Sequence, residues 1–151
     1  MKYIKLYEDF QMGDLNFMSP HEIITLFFGE CGKEVPNLEL IKVILDNGLV
    51  DVDARGFMGM TPLHYVIRNG NVSIAKCLIS AGAKVNAKDK FGQSLLHYAV
   101  EWDSVEIAEY LISAGANVNA KNNIGTSPLS VAVSKGYEEM QALLKKHGAV
   151  E

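Results

Sequence analysis

The chain has 151 residues, room for one domain of ordinary size. Its composition, 48% hydrophobic and 21% charged, is that of a globular chain, and fourteen Lys and Arg against eighteen Asp and Glu leave a net charge of −4, which argues against bulk electrostatic capture of nucleic acid. No apolar run reaches the roughly 18–20 residues that span a bilayer, Glu8 and Asp9 stand where a signal peptide needs an apolar stretch, and two cysteines are too few for a disulfide scaffold, so a reducing cytoplasm is the expected compartment.

Residues 1–18 come first. Tyr3, Ile4, Leu6, Tyr7 and Phe10 are apolar enough to cover the exposed end of the first helical unit, so this segment is expected to act as an amino-terminal cap. Ser19-Pro-His-Glu22 has the capping-box pattern and predicts a helix through about Phe28. Leu38, Ile41, Val43, Ile44 and Leu45 predict a second helix that closes at Asn47-Gly48, with Gly29–Pro36 as an insertion between the two. This pair makes a unit at 19–53.

Beyond it the chain repeats itself. Gly59, Gly92 and Gly125 are 33 residues apart, as are Leu63, Leu96 and Leu129, and as are Gly82, Gly115 and Gly148. Laying 56–88 over 89–121 gives 17 identities in 33 positions, and 122–151 matches the second copy at 9 of 30. The period sets units at 54–86, 87–119 and 120–151.

Gly59-Met-Thr-Pro-Leu-His64 with Ala81-Gly-Ala-Lys-Val-Asn-Ala87, Gly92-Gln-Ser-Leu-Leu-His97 with Ala114-Gly-Ala-Asn-Val-Asn-Ala120, and Gly125-Thr-Ser-Pro-Leu-Ser130 with His147-Gly-Ala149 resemble the ankyrin repeat, whose signature includes T-P-L-H. The unit at 19–53 resembles a divergent copy. The resemblance implies an all-α solenoid of stacked helix-turn-helix units with projecting β-hairpin turns, their tips near 88–91 and 121–124. Thr61 and Ser94 suit helix N-caps, and Pro62 suits the first helical position, where a missing N–H costs nothing. In the last unit the positions of Val72, Ala75 and Ile79 become Glu138, Gln141 and Lys145. That polar face is what a terminal repeat needs, so the array is expected to end here and to be monomeric.

No catalytic residue, metal site or cofactor is expected. His64 and His97 occupy the repeated T-P-L-H position, where a ring fits a role in fixing the hairpin by hydrogen bonds, and Ser130 breaks the row. His21 and His147 have no ligand-type neighbour at metal spacing. Asp51 and Asp53 are paired carboxylates with no base or nucleophile beside them. Cys77, in an apolar stretch, is expected to be a small buried hydrophobe. Phosphate-loop and nucleophile-elbow patterns do not occur.

In ankyrin-like stacks partners are usually held by hairpin tips and the inner face of the first helices. Carried over position by position, this implies tip residues Phe57, Met58 and Met60, then Lys90, Phe91 and Gln93, then Ile124. Arg68, Glu101 with Trp102, and Lys135 join them from the helices. Several apolar and aromatic side chains along one concavity suggest a binding site, although Phe57, Phe91 or Trp102 could instead fold back onto neighbours. Arg55, Lys88 and Lys121 add a basic residue before each tip, common in such repeats generally and otherwise suited to an acidic partner segment with apolar anchors. Glu39, Asp46, Glu106, Glu109, Glu138 and Glu139 fall mainly on second helices, on the convex side. The leading expectation is an adaptor that binds another protein through its concave face, with no nucleic-acid or membrane partner. The alternative is a stoichiometric inhibitor, or an immunity- or effector-type protein, that blocks a partner enzyme's functional surface.

Overall fold

The computed structural model describes residues 12–151. A 3-10 segment, Met12–Phe17, leads into four pairs of α-helices. They are α1 (Pro20–Cys31) with α2 (Leu38–Asp46), α3 (Pro62–Arg68) with α4 (Val72–Ser80), α5 (Leu95–Glu101) with α6 (Val105–Ser113), and α7 (Pro128–Lys135) with α8 (Glu138–Lys146). Within each pair the helices pack on one another. Between pairs α1, α3, α5 and α7 form one row, and α2, α4, α6 and α8 form the other. The fold is an all-α solenoid.

Each pair begins on a side chain that suits a helix start. Ser19 and Glu22 close a reciprocal capping box at α1, with Ser19 N–H donating to Glu22 Oε2 at 2.8 Å. Asn37 caps α2, Asn71 caps α4 and Ser127 caps α7, each taking the N–H three residues on. α1 runs three residues past the expected end at Phe28. Gly29 is tolerated inside it, because Cys31 is buried in the core and the buried Glu30 carboxylate is satisfied by Lys33 and by the Asn37 N–H at 2.8 Å. The connection between α1 and α2 is correspondingly shorter than expected.

The core lies between the rows. Leu63, Leu96 and Leu129 are each 1% exposed, and burial of such a side chain contributes roughly 1.5–3 kcal/mol. Ile74, Ile107 and Met140 repeat the same duty on the second helices. Leu15, in the 3-10 segment before α1, is buried and belongs to this core. The residues proposed for the cap, Tyr3, Ile4, Leu6, Tyr7 and Phe10, lie outside the described residues.

At the other end Glu138 and Lys145 are exposed and Gln141 is half-buried, where the equivalent Ala75 and Ala108 are fully covered. The polar face is not complete. Val133, at the position where Ile67 and Val100 are wholly buried, is 46% exposed on α7.

Candidate functional site

The projecting tips are turns and not β-ladders. Among the described residues one isolated bridge, Lys88 with Ser94, is the whole of the sheet structure. A side chain builds the tip instead. The Oδ1 of Asp89 accepts the N–H groups of Phe91 at 2.8 Å and Gln93 at 2.9 Å, while its Oδ2 accepts the Tyr98 hydroxyl at 2.9 Å. Asn122 does the same for Ile124 and Thr126. This Asx arrangement gives the chain an intramolecular partner where a short loop would otherwise rely on water. Sequence reasoning passes over Asp89 and Asn122, although Asp or Asn three residues before the tip glycine, repeated at the 33-residue interval, is a readable signal.

The first tip has Gly56 at that position and closes differently. It lacks the side-chain acceptor, and Phe57–Gly59 form a 3-10 turn in which Met58 takes a left-handed conformation (φ 59°). The Gly56 N–H bond to the carbonyl of Met60 at 2.9 Å is one that Asp89 and Asn122 also make, to Gln93 and Thr126. This corrects one expectation: Met60 is 5% exposed and unavailable to a partner. Its successors at the same position, Gln93 and Thr126, are polar and half-buried, whereas an apolar thioether gains by turning inward. Gln93 is also engaged, its Oε1 facing the Asn122 side chain at 3.4 Å.

Backbone bonds fasten tip to tip. Lys90 N–H donates to the carbonyl of Met58, and Asn123 N–H to that of Phe91, both at 3.0 Å. Gly92 permits this approach, because it sits at φ 74° and a Cβ there would stand 2.8 Å from the Asn123 nitrogen. Phe57, Lys90, Phe91 and Ile124 therefore stand along one continuous edge.

The two repeated histidines hold the helix starts behind these tips. His64 Nδ1 accepts the Thr61 N–H at 3.0 Å, and His97 Nδ1 accepts that of Ser94 at 3.2 Å. Each ring thus takes the place of the carboxylate in a capping box. His97 also places Nε2 3.0 Å from the carbonyl of Thr126, in the next tip. His64 is fully buried and its Nε2 has no hydrogen-bond partner among the described residues; the carbonyl of Gln93 favours its charged form without meeting hydrogen-bond geometry. Burial pushes the His64 imidazole down to about 4, and that of His97 down as well.

At the far end of the first helices, Trp102 follows α5 and is 56% exposed. Among the described residues its indole has neither a ring partner nor a hydrogen-bond acceptor. Next to it, Glu101 pairs with Lys135 of the following unit at 2.8 Å. Arg68 is exposed at the end of α3, while Asn69 is tied to the carbonyl of Lys33 in the α1–α2 connection. The large apolar exposures among the proposed site residues are Phe57 at 74%, Phe91 at 52%, Trp102 and Ile124 at 86%. Lys90 partly covers Phe91, its ammonium 5.1 Å from the ring centroid. Phe91 is thus both packed locally and accessible.

Among the described residues no three His, Cys, Asp or Glu side chains gather as a metal site would require. Asp53, one of the paired carboxylates, accepts the Lys84 N–H at 2.9 Å, a bond between units. Of the thiols, Cys31 is the fully buried one, pushed up to about 12 by burial, whereas Cys77 is only half-buried, contrary to expectation. No helix of the described residues is long and apolar enough to cross a membrane.

A family model for ankyrin repeats (three copies) matches residues 30–122 and 86–151. An ankyrin repeat protein of monkeypox virus is 41% identical over 63 residues, covering 42% of this chain and 11% of that protein. A putative ankyrin repeat protein of fowlpox virus is 44% identical over 50 residues, 30% of this chain and 32% of its own. Protein fem-1 homolog A of Bos taurus is 44% identical over 52 residues, 34% of this chain and 8% of that protein. The chain thus spans a third or less of the length of these curated relatives.

Proposed function

The chain belongs to the ankyrin repeat family, and on that premise we propose that it is a non-catalytic recruiting module that binds another protein through its concave face. Ankyrin repeats are in general protein-interaction modules. The observation that carries the reading for this chain is Trp102: a large amphipathic side chain, more than half exposed, at the end of a rigid helix, with an indole N–H that no described residue accepts. Folding gains little from such a placement, whereas interface centres favour it. Phe57, Met58, Phe91 and Ile124 on the tips, with Arg68, Lys90, Gln93, Glu101 and Lys135 around them, complete the proposed face. Met60, being buried, is not part of it.

The reading includes a monomer in a reducing compartment. Its support is the polar end at Glu138, Gln141 and Lys145 and two thiols that do not pair. The test is capture of partners from source-cell lysate by the natural chain and by a Phe91→Ala/Trp102→Ala variant with a matching melting curve. A partner held equally by both would refute the concave site.

A further inference from the structure

Five ion pairs occur among the described residues, and they use Lys33, Lys42, Lys76, Lys84 and Lys135. Arg55, Lys88, Lys90, Lys121 and Arg68 are exposed and have no carboxylate within ion-pair distance among the described residues. In a chain with more acids than bases this is uneven. All five lie on the tips or at the end of a first helix, on the side that carries Phe91 and Trp102. Many of the exposed acids are elsewhere, with Glu106 and Glu109 on α6 and Glu138 and Glu139 on α8, whereas of the acids on this side Asp89 is buried on backbone N–H groups, Glu101 is paired with Lys135, and Asp103 is exposed beside Trp102. Lys145 and Lys146 at the end of α8 also lack an ion pair among the described residues, but the tips carry a local surplus of positive charge although the net charge is −4.

The cations are also held in line. Arg55 Nη1 bonds the carbonyl of Lys88 at 2.6 Å, and Lys88 Nζ bonds that of Lys121 at 2.8 Å. These acceptors are neutral, so each bond orients a positive charge without cancelling it. A shallow open depression of about 600 Å³ runs beneath the row, lined by Arg55, Lys84, Val85, Asn86, Ala87 and Lys88. Of its three basic lining residues Lys84 is paired with Asp53, which leaves Arg55 and Lys88 without an ion pair among the described residues. A row of oriented charges with no counter-ion steers an oppositely charged partner and fixes its register.

We propose that the partner's contact region is an acidic polypeptide segment. Its carboxylates run along Arg55, Lys88 and Lys121, and bulky apolar side chains of the same segment seat against Phe91 on the tip and Trp102 at the end of α5. This rests on the concave-face reading above and adds the partner's chemistry to it. The aromatic anchors favour a polypeptide over the other common polyanion, a nucleic-acid backbone, because peptide side chains alternate charged and apolar groups along one strand. A second copy of this chain, offering its own acidic second helices, is the remaining occupant to exclude.

The experiment displays a random library of twelve-residue peptides to the immobilised full chain, with Phe91→Ala/Trp102→Ala as a counter-selecting surface. Affinities of the enriched peptides are then measured by fluorescence anisotropy at low and high salt. The expected result is a set rich in Asp and Glu with one or two large apolar residues. Their binding should fall at least tenfold for a Lys88→Glu/Lys121→Glu variant, and should weaken strongly between 50 mM and 500 mM salt on the order of Debye screening. Neutral or basic peptides lost on the double alanine variant would overturn the acidic-segment proposal and leave the concave site standing. Peptides indifferent to that variant, or no enrichment at all, would remove both. Equal binding of a DNA oligonucleotide, or self-association of the chain that the Lys→Glu changes abolish, would reassign the cationic row and overturn the proposal.

Discussion

The ammonium of Lys88 reaches the carbonyl oxygen of Lys121, 2.8 Å away and one repeat along the chain. Arg55 stands to Lys88 in the same relation. A parallel series runs beside it: Asp53, Asn86 and Asn119 accept the N–H groups of Lys84, Asn117 and Val150 at 2.9, 2.8 and 2.9 Å. The 33-residue period therefore repeats the bonds between units as well as the helices within them. A solenoid gains its stability from such nearest-neighbour terms, and its presented face inherits their rigidity.

Asp89 should be the most sensitive polar residue of the tips. Asp89→Ala removes the acceptor for two backbone N–H groups and for the Tyr98 hydroxyl, and should cost about 2 kcal/mol in a denaturant titration. Asp89→Asn, which copies Asn122, should cost less, because Oδ1 remains. Equal losses for both would mean that the carboxylate charge, and not the turn geometry, matters.

That hub marks where the sequence is hard to read. The repeat, the rows of Leu63, Leu96 and Leu129, and the caps at Ser19, Thr61 and Ser94 are all legible, because each rests on a local pattern with a fixed spacing. Asp89 is overlooked as one more surface acid: its turn bonds to Phe91 and Gln93 follow from a local spacing shared with Asn122, but its bond to the Tyr98 hydroxyl depends on how the tip folds back on α5. Met60 misleads for the opposite reason: its position is that of Gln93 and Thr126, but Gly56 lacks the side chain that shapes the later tips. Gly29 reads as a boundary, although burial of Cys31 and the bonds of Glu30 to Lys33 and the Asn37 N–H carry α1 past it. The exposed positions of Phe57, Phe91, Trp102 and Ile124 follow from the repeat register. Whether a partner uses them does not.

Acid should weaken the fold earlier than carboxylate titration alone would. His64 is held neutral, its imidazole pushed down to about 4 by burial, so the unfolded chain binds the extra proton as pH falls through about 6.5. The stability from the neutral ring is complete above that value and is lost progressively down to about 4, at most about 3 kcal/mol. His97 shifts in the same direction. Melting temperatures between pH 7.5 and 5 should fall in the natural chain and fall less in His64→Gln. A flat profile in the natural chain would contradict the assignment.

Asp103 takes φ 49° where Gly70 and Gly136 take 67° and 72°. An aspartate tolerates this region better than most residues, but a β-branched one does not. Asp103→Gly should gain about 0.5 kcal/mol, and Asp103→Val should lose about 1–2 kcal/mol, read by thermal melting. Similar stability for the two variants would show that the turn has relaxed.

The end face should govern association. Replacing Glu138, Gln141 and Lys145 by the Val, Ala and Ile of the internal units should restore a stacking surface beside Val133. That variant should dimerise at micromolar concentration in sedimentation velocity, while the natural chain stays monomeric. A dimeric natural chain would contradict the capping role.

The central claim is that the tips and first-helix ends form the partner face, with Trp102 as an anchor. Once a partner is in hand, its affinity should be measured for Trp102→Ala and for Glu109→Ala on the second-helix side, each beside its melting curve. Truncating a central aromatic anchor costs about 2 kcal/mol, roughly a 30-fold loss of affinity. The expected result is that loss for Trp102→Ala with an unchanged melting temperature, and no change for Glu109→Ala. Normal binding by Trp102→Ala, or a loss that follows unfolding, would contradict the account.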